Sequence, residues 1–182
     1  MKKGINKMDE KVGKVLIGKK QIEKRIKELA KQISQDYEGK DLICVIILRG
    51  AFMFVTDLAK EISVPAKFDF MATSSYGDST TSSGVVRIYK DLDMNIEGKD
   101  VLIVEDIVDT GRTINYLVKN LKTRNPKSLE VCTLLNKPAN RVVNVKIKYV
   151  GFVIPPDFVI GYGLDFAENY RHIPEVRGFK ED

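Results

Sequence analysis

The residues best suited to chemistry lie at the end of one apolar segment. The apolar run Val101–Val104 is followed by two adjacent acids, Glu105 and Asp106, and shortly afterwards by the polar loop Asp109–Thr113. The run predicts a buried strand, and the apolar spacing beyond the loop predicts an amphipathic helix. The order strand, loop, helix therefore places the polar loop at a helix N-terminus.

This loop has the composition of a cradle for a phosphate monoester. The first N–H groups of a helix have no partner within the helix and lie at the positive end of its dipole, so they attract anions. The hydroxyls of Thr110 and Thr113 add donors, and Gly111 lets the backbone approach a ligand closely. An ordinary strand–turn–helix in which Asp109 caps the helix is the alternative interpretation.

The two acids suggest the remainder of the ligand. The carboxylates of Glu105 and Asp106 can accept hydrogen bonds from ribose hydroxyls or bind a magnesium ion. The chain contains neither the Gly-x-x-x-x-Gly-Lys-Ser/Thr loop of nucleoside triphosphatases nor a Gly-x-Gly-x-x-Gly dinucleotide loop. A phosphate monoester is the ligand that this segment favours.

The same segment resembles the signature of the type I phosphoribosyltransferases, which is a hydrophobic strand, two acids and an Asp-x-Gly-x-Thr-like loop. The resemblance implies that the loop binds the 5-phosphate of a phosphoribosyl group and that Glu105 and Asp106 bind its ribose. It also implies that Asp109 accepts a proton from purine N7. Arg112 stands where some relatives carry lysine, a change that a cradle of backbone amides should tolerate.

Further segments resemble the hypoxanthine–guanine branch of that family around the donor. Leu48-Arg49-Gly50 is similar to its pyrophosphate loop, which there contains a cis peptide bond without proline, and Arg171 matches its pyrophosphate-binding arginine. Ser75-Tyr76 heads the polar segment Thr73–Gly84 and matches the family's mobile lid. A solvated surface loop would have the same composition as a lid.

The resemblance also extends to the purine-binding residues. It implies that Lys137 binds the exocyclic O6, that Phe158 stacks on the base and that the Val159 backbone reads the purine edge. Asp165 would lie near pyrophosphate and would join Glu105 and Asp106 as a metal ligand. Without the family, Lys137 would be interpreted as a solvated charge and Phe158 as a core residue.

A second departure from the family pattern, at Asp157, and the single histidine complete the candidate residues. Asp157 stands beside the stacking position, where some relatives have lysine. His172, the single histidine of the chain, is interpreted as structural or solvent-facing. Since no cluster of histidine and cysteine occurs, zinc and Cys–His chemistry are excluded.

Alternating strands and helices through the middle of the chain predict an α/β fold with a mostly parallel, twisted sheet flanked by helices. Ligands of such sheets gather at the carboxyl ends of the strands. The resemblance implies the type I phosphoribosyltransferase fold as a single domain over residues 1–182, with a small hood from roughly 1–18 and 155–182. The pattern predicts helices over 19–36, 52–62 and 114–121, and strands over 12–17, 42–48, 66–72, 85–90, 101–104, 128–135, 149–154 and 158–161.

Composition limits the partners. The chain has 182 residues, 43% of them hydrophobic, a formal charge of +5 and a pI of about 9.1. The positive charge suits anionic partners, either nucleic acid or small phosphorylated substrates. Because no arginine-rich tail or aromatic-basic repeat concentrates this charge, small substrates are favoured. No apolar run reaches the roughly 20 residues that span a bilayer, and no signal peptide is recognisable. Cys44 and Cys132 lie in apolar runs and are expected to be buried free thiols of a cytoplasmic protein.

The resemblance implies an enzyme of purine salvage. It would transfer the 5-phosphoribosyl group of phosphoribosyl diphosphate to hypoxanthine, guanine or both, giving IMP or GMP and pyrophosphate, with Mg²⁺ as cofactor. The resemblance implies a homodimer or homotetramer. An RNA-binding regulator on the same fold is an alternative, although such proteins generally lack an acid at the position of Asp109. A transferase for adenine, xanthine or orotate is another, although Lys137 and Phe158–Asp165 favour 6-oxopurines.

Overall fold

A parallel sheet forms the centre of the protein, as described by a computed structural model for residues 9–75 and 86–180. Continuous apolar runs such as Leu42–Leu48 form its inner strands, because both faces of these strands are covered. The elements in chain order are β1 (Val12–Ile17), α1 (Lys19–Asp36), β2 (Leu42–Leu48), α2 (Phe52–Glu61), β3 (Ala66–Ser75), β4 (Val86–Lys90), β5 (Asp100–Val108), α3 (Arg112–Lys122), β6 (Ser128–Asn136), β7 (Tyr149–Val153), β8 (Val159–Ile160) and β9 (Val176–Phe179).

The central sheet has six strands in the order β4-β3-β2-β5-β6-β7. All neighbouring pairs are parallel except β3 and β4, which pair antiparallel at one edge. The predicted α/β class with a mostly parallel sheet is therefore confirmed.

Helices cover both faces of this sheet. In α1, Ile22, Ile26, Leu29 and Ile33 repeat at intervals of three and four residues, and all are buried with α2 against one face. The apolar side of α3 is buried against the other face. The two hydrophobic cores that result hold β2 and β5 rigidly between them.

The order of connections creates a crevice between β2 and β5. The chain runs from β2 through α2 to β3 on one side, and from β5 through α3 to β6 on the other. The carboxyl ends of β2 and β5 are therefore the point where the winding of the sheet reverses, which is where such folds bind ligands. Residues 49–50 and 109–113 directly follow these two strands.

A second, three-stranded sheet joins the two ends of the chain. Strand β9 lies between β1 and β8 and pairs antiparallel with both. Val12 is opposite Phe179, and Val159 is opposite Gly178. The terminal segments expected to form a hood thus contribute to one small sheet apart from the central one.

The structure corrects two predictions about the strands and shows one strand that was not predicted. Strand β5 continues to Val108, so Glu105 and Asp106 lie inside it instead of after it, because Ile107 and Val108 pair with Leu135 and Asn136 of β6. Strand β3 extends over residues 73–75, which were expected to be loop; the rest of that expected loop up to residue 84 lies outside the described residues. Strand β9 was not predicted.

Both cysteines are free and buried, as expected. Burial raises the pKa of the Cys44 thiol to about 12, so this thiol is neutral at physiological pH. Within residues 9–75 and 86–180, no helix is long and apolar enough to cross a membrane.

Candidate active site

The loop between β5 and α3 encloses a cavity of about 240 Å³. Its wall consists of the end of β5, the loop that follows it and the first turn of α3. The lining residues are Glu105, Asp106, Ile107, Val108, Asp109, Thr110, Gly111, Thr113 and Ile114. The structure therefore places the predicted phosphate loop around a cavity at the helix N-terminus.

Gly111 keeps the entrance to the helix open. It caps α3 with a left-handed backbone (φ 83°) and has no side chain to occupy the first amides of the helix. The first helical hydrogen bond runs from the Asn115 N–H to the Gly111 carbonyl at 2.9 Å. The amides of residues 112–114 precede the first helical hydrogen bond and can bind an anion. Of these, the Arg112 N–H also donates to Thr110 Oγ1 at 3.4 Å.

A segment after β6 supports the loop from behind. The N–H groups of Val142 and Val143 both donate to the Thr110 carbonyl at 3.0 Å. The Arg141 guanidinium donates to the Val108 carbonyl at 3.4 Å and to the Asn136 side chain. Burial lowers the pKa of Arg141. Nothing in the spacing of the sequence singled out Arg141, because its partners come together only through the β5–β6 pairing.

The two acids of β5 form a buried pair. Burial raises the pKa of Glu105 well above its ordinary value, and the neighbouring Asp106 charge raises it further. Burial also raises the pKa of Asp106, while a hydrogen bond with Glu105 and the positive charge of Arg171 oppose that rise. The pair therefore favours a ligand that supplies hydrogen-bond donors or positive charge.

Close packing links Leu48–Gly50, the predicted pyrophosphate loop, to this pair. A Cβ atom at Gly50 would lie 1.6 Å from Asp106 Oδ2, and one at Gly163 (φ 99°) would lie 2.0 Å from the Gly50 carbonyl oxygen. Gly50 is thus packed between the acids of β5 and the segment after β8. The peptide bond between Leu48 and Arg49 is cis.

Asp109 and Lys137 meet at the edge of the cavity. Lys137 Nζ lies 3.7 Å from Asp109 Oδ2, and the Lys137 backbone N–H donates to the Val108 carbonyl at 2.9 Å. Lys137 is only 5% exposed, so the interpretation of it as a solvated charge is wrong. Among the described residues, the buried Asp109 Oδ1 has no hydrogen-bond partner. The pair presents a donor and an acceptor side by side.

Two arginines with acidic partners lie in the segments after β2 and β8. Arg49 Nη2 is 2.6 Å from Glu168 Oε1. Arg171 Nη2 is 2.8 Å from Asp165 Oδ1 and 3.4 Å from Glu168 Oε2. Sequence reasoning identified Arg49, Asp165 and Arg171 but missed Glu168, which contacts both arginines.

The proposed stacking residue lies in the small sheet. Phe158 is half-buried, with its ring centroid 5.9 Å from that of Phe166 and 6.0 Å from that of Phe179. It lines a cavity of about 610 Å³ together with β1 and β9, not the cavity of the phosphate loop. Val159 pairs with Gly178 through its backbone. The purine contacts of both residues remain predictions.

Four other residues from the sequence analysis differ in how far the structure describes them. Tyr76, half of the expected lid motif, lies outside the described residues, and Ser75 is described only through its backbone pairing with Val86. His172 and Asp157 are exposed.

The acids do not form a metal site by themselves. Within residues 9–75 and 86–180, no three histidine, cysteine or acidic side chains are grouped closely enough to hold a metal ion. The three predicted ligands Glu105, Asp106 and Asp165 therefore do not form a protein-only site. The adjacent pair Glu105–Asp106 still fits Mg²⁺, which commonly takes one or two carboxylates together with substrate phosphates.

Comparison with known proteins identifies similar chains over most of the length. The family described as phosphoribosyl transferase domain matches residues 17–167. The hypoxanthine-guanine phosphoribosyltransferase of Mycobacterium tuberculosis is 57% identical over 168 residues, which cover 89% of this chain and 83% of the relative. The hypoxanthine phosphoribosyltransferase of Escherichia coli is 49% identical over 164 residues, which cover 89% and 92%. The crystal structure of a hypoxanthine phosphoribosyltransferase from Staphylococcus aureus aligns with a TM-score of 0.90 at 45% identity, covering 98% of this chain and 97% of that one.

Proposed function

We propose that this chain, which belongs to the phosphoribosyl transferase family, acts in purine salvage as a hypoxanthine–guanine phosphoribosyltransferase. It joins hypoxanthine or guanine to the 5-phosphoribosyl group of phosphoribosyl diphosphate, yielding IMP or GMP and pyrophosphate. The observation that carries this assignment is the Asp109–Lys137 pair, 3.7 Å apart at the edge of the phosphate-loop cavity.

This pair matches one edge of a 6-oxopurine. N7 and O6 are adjacent on that edge, as they are in guanine. The Lys137 ammonium donates a hydrogen bond to O6, and the Asp109 carboxylate accepts the N7 proton as the base becomes a nucleophile. Adenine carries an amino group in place of O6, so the buried Lys137 donor would face another donor and disfavour it.

The phosphate loop positions the sugar. The amides of residues 112–114 and the hydroxyls of Thr110 and Thr113 bind the 5-phosphate. Arg112 is the first residue of α3. This phosphate does not react, so its binding energy can orient the anomeric carbon against the base. Glu105 and Asp106 accept hydrogen bonds from the ribose hydroxyls, as expected for carboxylates at the cavity wall.

Cationic residues stabilise the negative charge of the leaving pyrophosphate. Positive charge develops on the sugar as pyrophosphate departs, and fixed cations lower the cost of the negative charge that leaves. Arg49, the Gly50 backbone and Arg171 lie at the crevice between β2 and β5. Mg²⁺, which Glu105 and Asp106 would hold together with substrate oxygens, neutralises phosphate charge when bound.

Location and assembly follow from the same assignment. The buried free thiols Cys44 and Cys132 support a reducing, cytoplasmic location. A homodimer or homotetramer is the proposed assembly.

A steady-state assay tests the assignment. The full chain is supplied with Mg²⁺, phosphoribosyl diphosphate and one of hypoxanthine, guanine, xanthine or adenine, and mononucleotide formation is followed. IMP or GMP should form, and adenine should be the poorest acceptor. Absence of transfer to every base, combined with RNA binding that falls steeply as salt rises, would indicate the regulator instead.

A further inference from the structure

Glu168 forms ion pairs with Arg49 and Arg171, the two arginines that are proposed to bind the leaving pyrophosphate. Its Oε1 lies 2.6 Å from Arg49 Nη2, and its Oε2 lies 3.4 Å from Arg171 Nη2. The two arginines belong to segments that follow different strands, β2 and β8. One carboxylate therefore bridges both sides of the proposed pyrophosphate site.

Both terminal nitrogens of the Arg171 guanidinium already have partners. Its Nη1 donates to the Gly163 carbonyl at 2.8 Å, and its Nη2 contacts Asp165 at 2.8 Å as well as Glu168. Arg49 and Arg171 thus face Asp165 and Glu168, and the charges of these four side chains cancel. A polyanion gains little from such a neutral cluster unless one of the carboxylates leaves.

Glu168 is the carboxylate that can leave. Asp165 is fixed on both oxygens, because Oδ1 pairs with Arg171 and Oδ2 accepts the Glu168 N–H at 2.9 Å. The Asp165 side chain is 27% exposed, whereas that of Glu168 is 60% exposed. Among the described residues, the Glu168 carboxylate forms ion pairs with Arg49 and Arg171, and exposed pairs of this kind are weak.

The backbone around Glu168 adopts a conformation that is uncommon for residues other than glycine. Ala167, Glu168 and Tyr170 all have left-handed φ values, 48°, 65° and 73°. Residues other than glycine adopt this conformation at a cost, and they do so most often where the surrounding structure serves a function. The turn that follows Asp165 thus directs a glutamate at the two arginines instead of away from them.

We propose that Glu168 is an internal stand-in for pyrophosphate: it keeps Arg49 and Arg171 in place while the site is empty and is displaced when the diphosphate group binds. The inference rests on the proposed function, since it takes these arginines as the pyrophosphate site. Glu168 is a positioning residue that never contacts the reacting atoms. Its presence lowers the affinity for pyrophosphate, because the bound anion must replace the carboxylate.

The test measures binding of inorganic pyrophosphate by calorimetry, in Mg²⁺, to the full-length wild type and to Glu168→Gln. Loss of two partly exposed ion pairs should tighten binding by about 2- to 10-fold. The gain should shrink as ionic strength rises, because the competition is between charges. Disruption of the turn would weaken binding instead, so a structural role predicts the opposite sign.

Glu28→Gln is the matched control. Glu28 pairs with Arg25 at 2.8 Å and is 47% exposed, but it lies on α1, away from the crevice. This variant should bind pyrophosphate like the wild type. If the wild type transfers phosphoribosyl groups but Glu168→Gln binds pyrophosphate equally or more weakly, the inference about Glu168 is overturned while the proposed function stands. A wild type with neither transfer activity nor pyrophosphate binding would overturn the proposed function as well.

Discussion

Replacing Gly111 with alanine should destabilise the fold and weaken donor binding by the phosphate loop. Gly111 adopts a φ of 83°, and a Cβ atom there would lie 2.4 Å from the Val143 carbonyl oxygen and 3.0 Å from Arg141 Cδ. The carbonyl belongs to backbone that also carries the Val143 N–H donating to Thr110. Relief of the clash must therefore move either the loop or the segment behind it.

The expected cost has two parts. A left-handed alanine costs about 1–2 kcal/mol, and forcing an added methyl group against fixed atoms costs a further ~1–3 kcal/mol. Gly39→Ala isolates the first part, because Gly39 has a similar φ of 69° and nothing lies within 4 Å of the position of its Cβ. Gly111→Ala should thus lose about 1–3 kcal/mol more unfolding free energy than Gly39→Ala.

Urea unfolding and calorimetric titration with phosphoribosyl diphosphate measure the two effects. Gly39→Ala should bind the donor like the wild type. Gly111→Ala should bind it at least about tenfold more weakly, a loss of ~1.4 kcal/mol, because the amides of residues 112–114 shift. Equal stability of the two variants, together with unaltered donor binding by Gly111→Ala, would refute the packing argument and the role of this loop.

Three other substitutions test the remaining parts of the site. Asp109→Asn should reduce turnover strongly, by about 100-fold or more as for loss of a general base, with donor affinity largely kept; equal turnover would remove Asp109 from the mechanism. Lys137→Ala should weaken 6-oxopurine binding far more than donor binding, and calorimetry with the opposite result would reject its role. For Glu105 the folded-state pKa lies above the ordinary value, so the folded state binds more protons and the ligand-free protein loses stability as pH rises through that interval. Glu105→Gln should therefore flatten the dependence of Tm on pH, and parallel Tm curves for variant and wild type would contradict this.

The fold could be predicted from the sequence to a large extent because its signals are local. The apolar run 42–48 and the periodic residues of α1 give the same boundaries in the structure as in the sequence. Strand β9 was missed because its four residues, Val176–Phe179, gain their stability from pairing with β1 and β8. A strand this short carries too little periodicity to be recognised alone.

The site was predictable where it is contiguous in the chain. Asp109–Thr113 needed only the strand–loop–helix pattern to be interpreted as a phosphate cradle. The burial of Lys137 and the position of Arg141 behind the loop depend on β5 and β6 lying side by side, which no local pattern reveals. Glu168 likewise gains meaning only from its contacts with Arg49 and Arg171, residues separated along the chain and brought together at the crevice.

The most direct measurement is a crystal structure of the protein with IMP bound. The account predicts the 5-phosphate within hydrogen-bonding distance of the backbone amides of residues 112–114, with the N7 and O6 edge of hypoxanthine facing Asp109 and Lys137. A nucleotide bound elsewhere, or a phosphate held by side chains while these amides face solvent, would contradict it.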